Sequence, residues 1–235
     1  MEDSSNRNPP RETSPGGSVI HRYASAWGKP RLGFTEESTE NFVKQREAVY
    51  GRLFDEIANV SHEVLPQVPH IDVYTCWRTA QDGRKVCILA TGGMSDVEMA
   101  IPAGADAPRR VELIFYCSEP RQQYIDTMRW LAHFPHNHRT WLGSGHTIPN
   151  GTPPAPFWDS PVLDTILLMP TIVSKDAALP EQLQFAGEPV HFLWIVPLSG
   201  AECELKLAKG FGAIMELFGQ RRHPYIFDAN RPSYV

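Results

Sequence analysis

A chain of 235 residues, 42% hydrophobic and with a formal net charge of −5, carries enough apolar material for one sizeable core. Acidic and basic residues are interspersed, and the two basic doublets, Arg109-Arg110 and Arg221-Arg222, read as solvated surface, so composition argues against a nucleic-acid partner, which needs clustered Lys and Arg. The first eighteen residues have no apolar core to act as a signal peptide and no apolar run is long enough to span a bilayer, so the expectation is a cytoplasmic chain with no membrane partner.

Met1 to Ser18 is polar and contains Pro and Gly, too poor in large apolar residues to offset the entropy of ordering it, and is expected to be a disordered tail. The remainder, 19–235, shows no internal linker and reads as one domain. Thr35 opens a helix, with Glu36 and Glu37 in its first turn and Phe42, Val43, Val49, Tyr50, Leu53, Phe54, Ile57 and Val60 at helical spacing. Ile71, Val73, Thr75 and Trp77 then alternate with Asp72, Tyr74, Cys76 and Arg78, the period of a half-buried strand, and Asp82-Gly83 turns the chain into a second strand, Val86 to Thr91. Gly92-Gly93 breaks that strand, since glycine adopts positive φ without steric cost.

Val111 to Cys117 is a third strand, with Glu112 its one charge, and Ser118 is positioned to cap a second helix marked by Tyr124, Ile125, Met128 and Leu131 and stopped at Pro135. A long loop follows from His136 to Pro161, a length that usually carries function. Leu163 to Met169 and Val190 to Val196 are nearly all apolar, hence central strands. Ser199 with Glu202 is a capping box that opens a third helix through Phe218, with Gly210 and Gly212 weakening its middle, and Tyr225 to Phe227 is read as a short last strand. The fold class expected is α+β: a single mixed β-sheet of about five to six strands flanked by three main helices.

Motifs for chemistry are weak. His133, His136 and His138, with His146 further on, have close imidazole spacing that could serve a metal-dependent enzyme, but no HExxH frame, and they read first as a polar loop. Gly143-Ser144-Gly145 and Gly93-Met94-Ser95 both miss the Gly-x-Ser-x-Gly spacing of a strained nucleophile turn, and Gly92-Gly93 lacks the residues of a phosphate loop. Asp72, Asp96 and Glu112 could form a carboxylate group at strand ends, but read as solvent-facing. Cys76, Cys87, Cys117 and Cys203 show no CxxC and suit a reducing compartment; a Cys76–Cys87 cross-strand disulfide is conceivable on the hairpin, its register open. The expectation is a non-enzyme with no cofactor and no metal.

Several blocks in order resemble the suppressor-of-fused domain family: His70-x-Asp72-Val73-Tyr74, Thr91-Gly92-Gly93-Met94-Ser95-Asp96 with Met99, Val111-Glu112-Leu113-Ile114, Met128-x-Trp130-Leu131-Ala132, Gly145-His146-Thr147, Leu167-Leu168, His191-Phe192-Leu193-x-Ile195-Val196-Pro197-Leu198 with Glu202, and Asp228-x-x-Arg231. The resemblance covers about residues 65 to 232 and makes 19–235 a suppressor-of-fused-like domain. It implies a protein-binding role. Animal members clamp a transcription-factor peptide as an added strand, whereas bacterial stand-alone members are thought to be immunity proteins of polymorphic toxins. The extra C-terminal region of the animal proteins is not found here, so the single-domain bacterial form is the closer likeness. The expected partner is a toxin domain, or alternatively a regulatory protein such as a transcription factor. Asp72, Tyr74, Asp96, Glu98, Tyr116 and His146, polar or aromatic residues in or beside the blocks, are the expected partner-binding residues.

Overall fold

A computed structural model describes residues 12–23, 25, 27–33, 39–65, 67–80 and 82–235. Residues 1–11 of the expected tail, and the expected helix start at Thr35, Glu36 and Glu37, lie outside this set. From Glu12 onward the chain is docked: Glu12–Thr13 (β1) pairs antiparallel with Val19–Ile20 (β2), and the Gly16 amide donates to the Leu207 carbonyl at 2.7 Å.

The first helix, α1, is Thr39–Leu53 and is shorter than its apolar spacing predicts. Asp55 takes a left-handed φ of 61° and turns the chain into a strand, β3 (Glu56–Ser61), so Ile57 and Val60 are strand residues. A spacing of three fits a helix, but cross-strand pairing with β4 (Asp72–Thr79) overrides it. β4 and β5 (Lys85–Gly92) form the expected hairpin, and β6 (Val111–Cys117) pairs antiparallel with β5.

The second helix, α2, is Gln122–His138. Ser118 does not cap it, Arg121 being the N-cap residue, and Pro135 does not stop it. Proline removes one amide from the last turn, and the helix closes one turn later at Arg139, where φ is 52° and the Thr140 amide still reaches the Pro135 carbonyl at 2.8 Å. The long loop then contributes β7 (Thr147–Pro149) before β8 (Leu163–Pro170). Two short helices, α3 (Ser174–Ala177) and α4 (Leu179–Gln182), and a small ribbon, β9 (Gln184–Phe185) with β10 (Glu188–Pro189), lead into β11 (His191–Ser199).

The capping box forms as expected. The Ser199 hydroxyl accepts from the Glu202 amide and the Glu202 carboxylate accepts from the Ser199 amide. Gly210, at φ 89°, divides the expected third helix into α5 (Gly200–Lys209) and α6 (Phe211–Arg221). Tyr225 to Phe227 is irregular rather than a strand, held by a 2.8 Å bond from the Phe227 amide to the Tyr116 carbonyl. Beyond it Arg231 forks onto both oxygens of Glu202, at 2.7 Å each, and onto the Pro197 carbonyl.

The main sheet has seven strands in the order β3-β4-β5-β6-β11-β8-β7, slightly more than the sequence predicts because β3 and β7 were not legible. All neighbours are antiparallel except β6 and β11, which run parallel from His191 opposite Val111 to Trp194 opposite Ile114. Strand alternation divides the buried residues between two cores. Tyr74, Cys76, Ile88, Ile114, Tyr116 and Trp194 pack with α1 and α6 on one face. Val73, Cys87, Leu89, Leu113, Phe115 and Cys117 pack with Met128 and Leu131 of α2 on the other. The sheet is covered on both faces, which explains why its central strands are apolar throughout.

The same alternation disposes of the conceivable Cys76–Cys87 disulfide. Cys76 lies opposite Ile88 and belongs to the other core from Cys87, whose cross-strand partner is Cys117; all four cysteines are free. Burial pushes the Cys76 thiol up to about 12, and the Cys87 neighbour together with burial raises Cys117 further. A thiol-labelling assay is therefore expected to leave Cys76, Cys87 and Cys117 unmodified in the native protein and to modify all four cysteines in denaturant; rapid native labelling of any of the three would contradict this packing.

Candidate functional site

The turn after β5 is built on a backbone that only glycine permits. Gly93 has φ 112°, and a Cβ there would lie 1.9 Å from the His70 carbonyl oxygen. The chain then makes one 3-10 turn, Met94–Asp96, which aims two amides and two hydroxyls at a single carboxylate on β6. Glu112, with no solvent exposure, accepts from Thr91 Oγ1 at 2.6 Å, the Gly93 amide at 3.0 Å, the Ser95 amide at 3.1 Å and Ser95 Oγ at 2.6 Å. Thr91 Oγ1 in turn accepts from the Leu113 amide at 2.8 Å.

From the other side, α1 delivers Arg46 and Tyr50. The buried Arg46 guanidinium ion-pairs with Asp96, its Nε lies 3.7 Å from Glu112 Oε1, and it stacks over the Phe185 ring at 5.3 Å. Tyr50 donates to the Thr91 carbonyl at 2.7 Å. Burial alone works against the Arg46 charge, but Asp96 and Glu112 more than reverse this and hold its pKa above the usual arginine range. Arg110 closes the group, donating to the Ser95 carbonyl at 2.7 Å and the Asp96 carbonyl at 3.1 Å and reaching Glu98 at 3.2 Å. Two carboxylates thus meet two guanidinium groups within hydrogen-bonded reach of one turn. Such a cluster is chemically spent on its own partners and fixes the turn.

The six residues expected to face a partner do not share one surface. Asp96 is buried against Arg46. Tyr74 is 1% exposed and packs against Tyr50, and Tyr116 is fully buried, its hydroxyl donating to Asp176 at 2.7 Å on the α1 side of the sheet. These three are corrected to architectural positions, because a sheet covered on both faces offers strand aromatics no route to solvent. Glu98 remains substantially exposed beside Arg109 and Arg110. Asp72 is partly exposed among His62, Glu63 and His70, and His146 lies at the far end of the sheet, its ring against Trp141 at 4.3 Å.

Of the three carboxylates weighed as an acid-base group, Asp96 and Glu112 do converge, though on Arg46 and out of contact with solvent, while Asp72 does not join them. Arg46 was missed, because a cation among Lys44, Gln45 and Glu47 on an amphipathic helix reads as part of its solvated face. The loop histidines do not gather into a ligand set among the described residues: His133 Nε2 meets Glu63 at 2.7 Å, His136 Nε2 meets the Met94 carbonyl at 3.1 Å, His138 packs on Tyr23 and His146 on Trp141. The group whose ligand atoms do come together is His62, His70 and Asp72, all within 4.8 Å of one another.

Replacing Glu112 by Gln puts an amide N–H₂ among donors and leaves Arg46 short of an acceptor, so the expected loss is on the order of 3 kcal/mol of unfolding free energy, read from the urea midpoint. A pH series separates two opposing titrations. Burial holds His136, His146 and His223 near 4, so unfolding at acid pH lets them protonate and stability is lost as pH falls from about 6.5 to 4. Burial, with Glu112 adding and Arg46 opposing, pushes Asp96 up to about 6, so this group works the other way, removing stability as pH rises from about 4 to 6. Three histidines outweigh one carboxyl, giving net acid destabilisation, and Asp96→Asn should steepen it; an unchanged or shallower slope in denaturation at pH 4 to 7 would refute the assignment.

Comparison with known proteins agrees with this geometry. The family model described as Suppressor of fused protein (SUFU) matches residues 67–232, which contain the turn, Glu112 and the Arg231–Glu202 fork. No curated protein matches the chain. Among solved structures, one described as a SUFU (suppressor of fused protein) homolog from Neisseria gonorrhoeae FA 1090 superposes with a TM-score of 0.62 at 15% identity, covering 83% of this chain and 98% of that one. A chain of the Sufu-Fu complex superposes with a TM-score of 0.55 at 13% identity, covering 88% and 93%. The chain belongs to the suppressor of fused family.

Proposed function

We propose that the protein is a non-catalytic binding domain of the cytosol, and that its partner is a toxin it neutralises as an immunity protein. The observation that carries the binding role is a set of aliphatic side chains left in water beside an edge strand. Val64 is 94% exposed and Leu65 65%, both in the connection that follows β3, and the isolated bridge between Leu32 and Gln67 sets Leu32, 77% exposed, next to them. Aliphatic side chains exposed this fully have no role in the core, and grouped together they mark a docking surface. β3 itself is the outer strand at this end of the sheet, the position where an added strand would pair.

The toxin reading is supported by the resemblance to the single-domain bacterial members of the family and by a net charge of −5 that suits a basic partner. The regulatory reading is supported by the likeness in fold to a chain of the Sufu-Fu complex, an assembly of two proteins. Of the residues expected to meet the partner, Glu98, Asp72 and His146 keep the exposure to do so.

Co-expression with the product of the neighbouring gene tests the first reading: that product is expected to be toxic alone, and the wild-type chain to rescue growth and co-purify with it. The double substitution Val64→Asp, Leu65→Asp should weaken that binding about tenfold or more while moving the melting temperature by no more than a degree or two, since neither side chain is buried. Full toxicity in the presence of folded wild-type protein would sink the immunity role.

A further inference from the structure

Strand register places three metal-ligating residues around one point at the β3–β4 end of the sheet. Ser61 lies opposite Val73, so the next residue out, His62, faces Asp72 across the pair. His70 stands two residues before Asp72 and therefore on the same side of the extended chain. The result is a carboxylate between two imidazoles: Asp72 Oδ2 is 3.1 Å from His62 Nδ1 and Oδ1 is 3.2 Å from His70 Nε2. A tetrahedron with arms of 2.0–2.2 Å, as zinc makes with nitrogen and oxygen, has edges of about 3.3 Å.

A second, independent observation concerns the other nitrogen of His70. Its Nδ1 faces Glu63 Oε2 at 3.9 Å, and Glu63 is buried and fixed by the Ile71 amide at 3.2 Å and by His133 Nε2 at 2.7 Å. A neutral imidazole has one N–H. At 3.9 Å Nδ1 makes no hydrogen bond to Glu63, so without a metal the ring N–H sits on Nε2 and donates to Asp72 Oδ1; a cation that takes the Nε2 lone pair moves this N–H to Nδ1, on the side facing Glu63. A ligating histidine whose second nitrogen addresses a carboxylate is the usual support of a zinc site. The backbone beneath is pinned by Arg129, which donates to the carbonyls of Ser61 at 2.9 Å and Ile71 at 3.3 Å. His62 is 71% exposed, leaving an entry path and a fourth position for water.

We propose that His62, His70 and Asp72 bind a zinc ion, with Glu63 orienting His70. The charge balances, since the Asp72 and Glu63 carboxylates offset a dication while the rings ligate as neutral groups. The site shares Glu63 with His133 but none of its three ligands with the sequence-predicted histidine group or with the buried cluster at Glu112, and it does not depend on the identity of the partner.

The test uses the full chain, stripped with a chelator and titrated with zinc chloride by calorimetry, with cobalt(II) absorption as the geometric probe. Expected are one equivalent of zinc and intense visible cobalt bands of a tetrahedral site. His62→Ala, at an exposed position that the fold does not need, should weaken zinc about tenfold or more, as should Asp72→Asn, while His146→Ala leaves it unchanged. Circular dichroism confirms that each variant is folded. Absence of stoichiometric zinc in the wild-type protein, or zinc binding unmoved in folded His62→Ala, overturns the proposal and leaves a hydrogen-bonded triad only.

Discussion

Burying Glu112 in the middle of a sheet covered on both faces costs several kcal/mol unless its lone pairs are filled, and the chain fills them from one turn. Two hydroxyls and two amides of Thr91 to Ser95 converge on it because Gly93 allows the backbone to double back against the His70 carbonyl. The same turn delivers Asp96 to Arg46, and Arg46 ties α1 to the sheet. One carboxylate thereby fixes the end of β5, the start of the 3-10 turn and the docking of a helix distant in sequence.

This arrangement accounts for how the turn and its neighbours can hold so many polar residues in the interior. Thr91, Ser95, Asp96, Glu112 and Arg46 resemble catalytic furniture when read as types, yet each is engaged by another in the interior. Their yield is a fixed turn, with Glu98 exposed on one flank and the Val64–Leu65 connection exposed beyond β3.

Much of the fold was legible because it is written in local periodicity. The Asp72–Gly92 hairpin, the apolar central strands and the Ser199–Glu202 capping box are signals carried by residues a few positions apart. What escaped was set by distant contacts. β3 carries its Ile57 and Val60 at a spacing that also fits a helix, and β7 has three residues, too few to show a period. The site was less legible still. Tyr74 and Tyr116 were chosen as aromatic residues in or beside the family blocks, and neither residue type nor strand alternation can tell whether a face meets water or a layer of helices. The meeting of Arg46 with Asp96 spans fifty positions, and no local pattern encodes it.

The one parallel joint, between β6 and β11, divides the sheet into two neighbourhoods of the chain. Strands β3 to β6 are consecutive in sequence and pair as a meander, while β7, β8 and β11 pair among themselves on the far side. Each neighbourhood pairs strands drawn from its own part of the chain, and the two are joined by a single parallel seam, four residue pairs wide, from His191 opposite Val111 to Trp194 opposite Ile114. Phe192 lies opposite Glu112 in that seam. The two halves therefore join at the strand whose buried charge is compensated entirely by partners from the first half, Thr91, Gly93, Ser95 and Arg46, so the second half brings only apolar Phe192 to that position.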